Sequence, residues 1–522
     1  MNKGKNIFYI FAGIILLLPV IFFPITTDLS IFIQSGQIIA QGGKPYVDFI
    51  DIKPPVIYYI YSLIYYIVGN GETSLRLFDF FIQVLTIIYL FYFVKKQSGN
   101  STWAGISVIF YSLSYTVLAH NQTMQIESWI PLLSLFMLTF ALKSDKNTSN
   151  IFLTGIIAGI ITALKFSIFF VIFLIPLADY FSGNYNIKQI VKRFAISFAG
   201  FLLIILVSLL PFLDTTIRNG FADVLTYMSI YAKYPPMNDA FIRMTLKLLA
   251  EFFGDKYSLL FSLLLFTGIF YSLKKYLSKK NSGLSLFVNM SVATLLLLMI
   301  SVVVEKKFFP YHFSRLYALF AVFAAAGAIY LQHKFKVIRK KRKQHTLTII
   351  LISLFLLILS PLPRWISLIN PTVNYFSDKN KYEAYYTRHD AVLLKKQRAV
   401  ALYVKRHCKQ NEKTLVVSVA SSIVNYYLGN LALNKFMLSS FFISAADIEP
   451  WKNEAYQLLK KSSWLVLREN DASYLANSHF MSSRAAFFHN RTYVKYLINN
   501  FQLVKVIGPF YIYKKNKHLR KQ

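Results

Sequence analysis

Cysteine is nearly absent from this chain: Cys408 is the single copy in 522 residues. One thiol excludes an internal disulfide and any cysteine-based zinc cluster, leaving a free thiol or an intermolecular bond. Acidic residues are also scarce, 23 against 57 lysines and arginines, for a formal charge of +34. Charged residues make up only 15% of the chain, whereas 55% is hydrophobic and 17% aromatic, a balance that excludes both an ordinary soluble globule and a disordered chain. No Walker or dinucleotide glycine pattern opens a helix after a strand, so no nucleotide is called for. Internal repeats are missing too.

What is present is a series of apolar runs near residues 7–24, 75–94, 102–119, 125–142, 151–164, 166–181, 195–213, 257–273, 286–304, 316–332 and 346–362. Most approach the roughly 20 residues a helix needs to cross a bilayer, and two fall short. The first follows Lys3 and Lys5, lacks a small-residue cleavage site and is succeeded by more runs, so it is expected to stay as a span. Cations recur on every second loop: Lys95 and Lys96, Lys143 and Lys146, Lys188 with Lys192 and Arg193, Lys274 to Lys280, and Arg339 to Lys343. By the positive-inside rule these loops are cytoplasmic, and about 11 spans starting inside put the C-terminus outside. Anionic lipid accounts for much of the positive charge, and nucleic acid is not expected as a partner. Abundant Lys, Ile, Asn, Phe and Tyr favour a bacterial inner membrane.

The expected fold is a polytopic α-helical membrane domain, residues 1–363, followed by an extracytoplasmic α/β domain, residues 364–522. The boundary follows Pro361-Leu362-Pro363, after which polar and apolar sequence alternates. In that second part the pattern predicts helices from Lys395 to His407, from Ser421 and from Trp451. Strands are predicted at Thr414 to Val419, near Phe436 and at Trp464 to Leu467, with a terminal hairpin from Phe501 to Lys515 turning at Gly508-Pro509. Between the first two spans lies a long outer loop, 25–74, containing Ile57 to Val68, an apolar stretch too short to cross and expected to lie as an interfacial helix.

Candidate chemistry gathers on the outer face. Asp28 follows the first span in Thr26-Thr27-Asp28, where a partly desolvated carboxylate suits a general base. Gly42-Gly43-Lys44-Pro45-Tyr46-Val47-Asp48 and Asp51-Ile52-Lys53-Pro54-Pro55 follow in the same loop. The two prolines hold Lys53 extended at headgroup depth, where a fixed cation suits a lipid phosphate. Glu127 lies in the next outer loop after His120; it either positions an acceptor, holds a divalent cation with Asp28 and His120, or simply caps a helix. Lys165 interrupts the apolar stretch Ile151 to Ile175, as a phosphate ligand or as the polar tip of a tight turn. In Glu305-Lys306-Lys307-Phe308-Phe309-Pro310-Tyr311-His312-Phe313-Ser314-Arg315, the residues Lys307, His312 and Arg315 could neutralise a departing phosphate. Tyr227, Tyr231 and Tyr234, with Pro235-Pro236, mark the outer loop from Thr215 to Tyr257 as an acceptor cover or as interface aromatics.

The aspartate after the first span, the Gly-x-Pro-Tyr-x-Asp-like stretch, the Lys-Pro-Pro before the interfacial helix and Arg76-Leu77 at the second span together resemble the GT-C membrane glycosyltransferases. The likeness is to glycosyltransferase family 39, the protein O-mannosyltransferases, and to the lipid A aminoarabinose transferase. The resemblance implies a GT-C-like enzyme that takes one sugar from a polyprenyl phosphate carrier and transfers it to a lipid or protein acceptor outside the cytoplasm; the expected reaction is a single inverting displacement onto a lipid, glycan or protein acceptor. It implies Asp28 as catalytic carboxylate, Lys53 as a contact to the carrier phosphate and Lys165 as a second one. Leu29 stands where many relatives have another acidic residue, and Ile52 stands where the aminoarabinose transferase has one, so Asp51 falls one residue early. A divalent cation is therefore an open cofactor, and no other is implied. A transporter or flippase of lipid-linked sugars would share the outward cations but calls for inverted repeats. A glycan polymerase or ligase would differ only in donor size.

Overall fold

The computed structural model describes residues 3–144, 147–183, 185–233, 242–244, 246, 250, 259–276, 283–306, 308–341, 360–388, 393–443, 448–471 and 482–516. The chain is a membrane protein built mainly of helices. Among the described residues, five are long and apolar enough to cross a bilayer: Gly4–Phe22, Glu72–Ser98, Ile187–Leu213, Gly283–Glu305 and Pro310–Lys336. Ser101–Val117 and Leu259–Tyr276 add two more apolar helices, while Ile130–Ala141, Thr148–Leu164 and Phe166–Phe181 are shorter. The run at 166–181 begins as eight residues of 3-10 helix, Phe166–Phe173. That form rises about 2.0 Å per residue instead of 1.5, so the segment reaches further than its length suggests. Of the expected run at 346–362, only 360–362 falls within the described residues.

Two compact units divide the chain. The first comprises Met1–Phe23, Gly71–Leu210 and Ala240–Val373. Lipid gives apolar helices no hydrophobic reason to associate, so their contacts depend on small residues that let backbones approach. At Gly268 a Cβ would lie 1.7 Å from the Phe323 carbonyl oxygen, and at Gly327 one would lie 2.1 Å from that of Leu264, so Leu259–Tyr276 and Tyr317–Lys341 cross backbone to backbone. Gly155 meets the Ser197 carbonyl in the same way, at 1.8 Å, and pins Thr148–Leu164 to Ile187–Leu209.

The second unit comprises Pro24–Asn70, Pro211–Asp239 and Asn374–Gln522. Its first segment holds two helices where one was expected. Val56–Val68 follows the two prolines and buries Ile57, Tyr58, Tyr61 and Ile64 while Leu63, Tyr66 and Ile67 stay exposed. Thr27–Ala40 is the addition, with Asp28 in its first turn where a helix dipole favours an anion. It is docked through polar groups: Gln34 donates to the Ser422 carbonyl at 2.8 Å and accepts from Asn434 at 3.3 Å, and the Ser422 hydroxyl donates to the Thr27 carbonyl at 3.1 Å. Gly36 lies against the Tyr61 backbone, where a Cβ would come within 2.5 Å of the carbonyl carbon.

A four-stranded sheet forms the centre of this unit, in the order β1 (Thr414–Val417), β2 (Trp464–Arg468), β4 (Phe510–Lys515), β3 (Phe501–Ile507). β1 and β2 run parallel, which requires the crossover through helices Ser421–Leu428 and Glu449–Lys461. β3 and β4 form the hairpin, with Gly508 at φ 56° in its turn. Val400, Val404, Val424, Trp464, Val466, Phe510 and Ile512 pack into one core on this sheet. Near Phe436 there is no strand; a lone bridge to Ile50 forms there, with the Ile50 amide donating to the Lys435 carbonyl at 2.6 Å. The Lys435 carbonyl is thus satisfied by Ile50, from a distant part of the chain, and not by a sheet neighbour.

Candidate active site

Four of the residues singled out from sequence meet in the first unit, together with Glu305. Glu127 sits on a short 3-10 turn, Ile126–Ser128, leading into the helix that Pro131 opens. Lys165 is the residue at which Thr148–Leu164 ends: its φ of −153° and ψ of 105° break the helix and turn its side chain away from the axis. Glu305 closes Gly283–Glu305, after which the short helix Pro310–Phe313 carries His312 and the turn Ser314–Leu316 carries Arg315. Both loops are bent through non-glycine residues with positive φ, Ala119 (63°) and Met124 (61°) in one, Lys306 (55°) and Phe308 (47°) in the other. Such strain persists only where the surroundings over-determine it, and it concentrates at functional sites.

The geometry is a compact ionic cluster. Lys165 Nζ bonds a Glu127 carboxylate oxygen and lies 2.8 Å from Glu305 Oε2. Arg315, wholly buried, donates from Nη1 to Glu305 Oε1 at 2.7 Å and to the Ser301 hydroxyl at 2.8 Å, and from Nη2 to Glu127 Oε1 at 3.3 Å. The Ser167 hydroxyl donates to Glu305, and His312 Nδ1 stands 3.3 Å from Glu305 Oε2. Two carboxylates and two cations balance, and burial is tolerated for that reason. Burial pushes the Lys165 ammonium below the ordinary lysine range, with the Arg315 charge adding to the effect against the pull of Glu127 and Glu305.

Glu127, Glu305 and His312 each offer one ligand atom, all within 4.8 Å of one another. Two carboxylates and an imidazole suit a divalent cation. The ion and Lys165 would compete for the same oxygens. His120 is not among this trio: it is buried on the loop leading to Glu127, and its carbonyl accepts from Arg76 Nη2 at 3.1 Å. Lys307 lies outside the described residues.

Beneath the Glu127 loop is a second layer of buried polar groups. Arg76, fully enclosed, also donates to the Phe23 carbonyl and the Thr123 hydroxyl at 3.1 Å each. The Tyr115 hydroxyl donates to both Asp79 oxygens at 2.8 and 2.9 Å and accepts from the Met124 amide at 3.0 Å. Gln83 bonds Asp79, the Ser128 carbonyl and the Tyr111 hydroxyl. These contacts hold the strained loop at both ends. Asp79, Gln83 and Tyr115 carry no motif, but ionisable and amide side chains inside an apolar helix demand partners, and that demand is readable in sequence.

The second unit contains Asp28, Asp51 and Lys53. Asp28 is half-buried in the first turn of Thr27–Ala40. Asp51 is almost fully enclosed and accepts from the Tyr58 hydroxyl at 2.8 Å. Burial raises its carboxyl above the usual aspartate range, opposed by the charge of Lys53 and the Tyr58 bond and reinforced by Asp28. Lys53 is fixed through its backbone: its carbonyl accepts from Tyr46 at 2.6 Å and its amide donates to Tyr58 at 3.2 Å. Tyr46 takes a φ of 64° inside a turn closed by the Lys44 amide donating to Asp48 at 2.7 Å. Tyr46 packs against Phe212 and Phe221, and Gly220 is required beside its carbonyl, 2.3 Å from where a Cβ would stand. Tyr227 packs on Phe441 and Trp451, while Tyr234, Pro235 and Pro236 lie outside the described residues.

Residues 52–213 match the sequence profile of the dolichyl-phosphate-mannose-protein mannosyltransferase family. This segment contains Lys53, Arg76, His120, Glu127 and Lys165, and it begins after Asp28 and Asp51. No curated protein sequence matches the chain significantly. The fold is similar to two solved structures of ArnT from Cupriavidus metallidurans, one bound to undecaprenyl phosphate and one in the apo state. In each comparison the TM-score is 0.61 over 99% of both chains, at 12% identity.

Proposed function

We propose that this chain, a membrane glycosyltransferase of the GT-C type, moves a single sugar from a polyprenyl-phosphate carrier to a lipid, glycan or protein acceptor on the extracytoplasmic face. The observation that carries this reading is the balanced cluster of Lys165, Arg315, Glu127, Glu305 and His312, because a site built from paired charges can take up an anion by exchanging partners. The carrier phosphate replaces carboxylate contacts of Lys165 and Arg315, and His312 adds a further donor. Lys53 is proposed, on the sequence resemblance alone, as a further contact to the carrier phosphate. The solved ArnT structure with undecaprenyl phosphate supports a polyprenyl carrier for this fold.

The reaction is one displacement with inversion. The acceptor hydroxyl or amine loses its proton to Asp28 and attacks the anomeric carbon. The bond from that carbon to the phosphate oxygen breaks, and its electron pair leaves with the phosphate, whose charge the cations hold. Glu127, His120 and Asp51 are left to position the acceptor, with a divalent cation as an alternative partner for Glu127. Asp28→Asn tests this: transfer from the polyprenyl-linked donor is expected to fall by about 10²–10⁴-fold, the range of a lost general base. Carrier binding, measured separately, is expected to persist. Unchanged transfer removes Asp28 from the reaction, and carrier movement across vesicles without transfer would identify a flippase instead.

A further inference from the structure

A cavity of about 330 Å³ opens on the second unit, lined by Tyr456, Arg491, Thr492, Lys495, Tyr496, Asn499 and Asn500. It lies in the groove between helices Glu449–Lys461 and Arg491–Asn500, which the Tyr493 hydroxyl ties together through the Lys452 carbonyl at 2.9 Å. Arg491 and Lys495 are one helical turn apart and project from the same face. Both are exposed, and neither has an ion-pair partner among the described residues. Among the described residues the lining contains no carboxylate, and the acids of the neighbouring helix, Glu449 and Glu454, pair with Lys452 and Lys435.

The aromatic wall is built from ring contacts. The Tyr456 ring stacks with Tyr493 at 6.2 Å and meets Tyr496 edge-on at 5.8 Å, with Lys460 and Lys515 set over Tyr456 and Tyr496 at 4.9 and 5.4 Å. A tyrosine face takes the C–H side of a pyranose, asparagine amides and a threonine hydroxyl match its hydroxyls, and unpaired cations call for an anionic substituent. The volume is at the lower end of small-molecule pockets, enough for one or two sugar rings. We propose that this groove binds an anionic saccharide, a sugar carrying phosphate or carboxylate, as the part of the acceptor that is recognised away from the reaction centre. This rests on the transfer function proposed above and specifies its acceptor class.

The test uses the full chain in nanodiscs of zwitterionic lipid, with glucose 1-phosphate, methyl glucoside and inorganic phosphate as probes in calorimetry. Glucose 1-phosphate is expected to bind about 10-fold more tightly than either other probe, and Arg491→Ala with Lys495→Ala is expected to remove that advantage. Tyr456→Leu should lower binding of glucose 1-phosphate and leave that of phosphate unchanged. Lys165→Met should retain glucose 1-phosphate binding, which separates this groove from the donor site. The double variant should still release sugar from the polyprenyl donor to water at the normal rate. Equal binding of phosphate and glucose 1-phosphate overturns the proposal, as does an undisturbed double variant. It is also overturned if the double variant changes only retention of anionic lipid, which would make the groove a headgroup contact. Failure of Asp28→Asn to lose transfer would refute the mechanism and leave these binding results standing.

Discussion

Glu305 is the hub of the ionic cluster, and Glu305→Gln tests both the charge balance and its use. The carboxylate receives Lys165 at 2.8 Å and Arg315 at 2.7 Å, with His312 at 3.3 Å and the Ser167 hydroxyl besides. Glutamine keeps the shape and one acceptor oxygen, but its amide nitrogen confronts a cation. The sum over Glu127, Glu305, Lys165 and Arg315 goes from zero to +1. Neutralising one partner of a buried pair costs about 3–5 kcal/mol, and the remaining contacts to Glu127 point to the lower end, ~3 kcal/mol. An incoming phosphate restores the missing negative charge. Thermal unfolding of the purified protein in detergent should therefore show a lower midpoint for the variant alone and a larger upward shift on adding undecaprenyl phosphate. If half of the loss returns through the ligand, affinity rises by about 10-fold, since 1.4 kcal/mol is a factor of ten. Wild-type stability in the variant would refute the charge balance. A lower midpoint with no larger ligand shift would refute contact between these cations and the carrier phosphate.

Three further outcomes follow from the same physical picture. Because the Lys165 ammonium is held below its usual 10.5, the native state sheds this proton first. Transfer should then fall on the alkaline side below that value, stability contributed by this group should rise over the same interval, and Lys165→Arg should move the alkaline limb of the rate profile upward. The Asp51 carboxyl is raised above 3.8 by burial, so its contribution to stability falls as pH climbs from there through the native value. Asp51→Asn retains an acceptor for Tyr58 and should unfold no more easily than wild type at pH near 7, with the difference vanishing towards pH near 4; a loss above about 1 kcal/mol at neutral pH, the worth of a hydrogen bond, would show that its charge is needed. Gly268→Ala places a methyl 1.7 Å from the Phe323 carbonyl and should cost about 1–3 kcal/mol by forcing two helices apart, whereas Gly283→Ala, with open space around it, should cost nothing in the same thermal-shift assay.

The helices of the membrane part were legible because only helices and closed barrels can span lipid, and apolar runs of nearly 20 residues have the length of a spanning helix and not of a barrel strand. Thr27–Ala40 was hidden by its own anchoring groups. Gln34 and Ser30 interrupt its apolar pattern, yet Gln34 bonds Ser422, 388 residues away, a partner that no local window contains. His120 was noticed for its imidazole, and its backbone carbonyl, which no side-chain pattern announces, is held by Arg76.

The candidate site was half legible for a related reason. An ionisable group in an apolar setting announces that a partner exists, and Glu127, Lys165, His312 and Arg315 were each visible on that ground. Their pairing was not, since Arg315 reaches Glu127 across 188 positions of sequence and Lys165 reaches Glu305 across a different helix pair. Glu305 escaped notice because it was read as the first residue of a cationic loop, when it is the last residue of a 23-residue apolar helix. A charge count would have exposed it. Lys165 and Arg315 buried beside Glu127 alone leave one uncompensated cation, which a low-dielectric interior does not accept. The missing carboxylate had to be one that an apolar helix delivers to the same place, and Glu305 ends such a helix. With it in place the four charges cancel, as burial of the cluster requires.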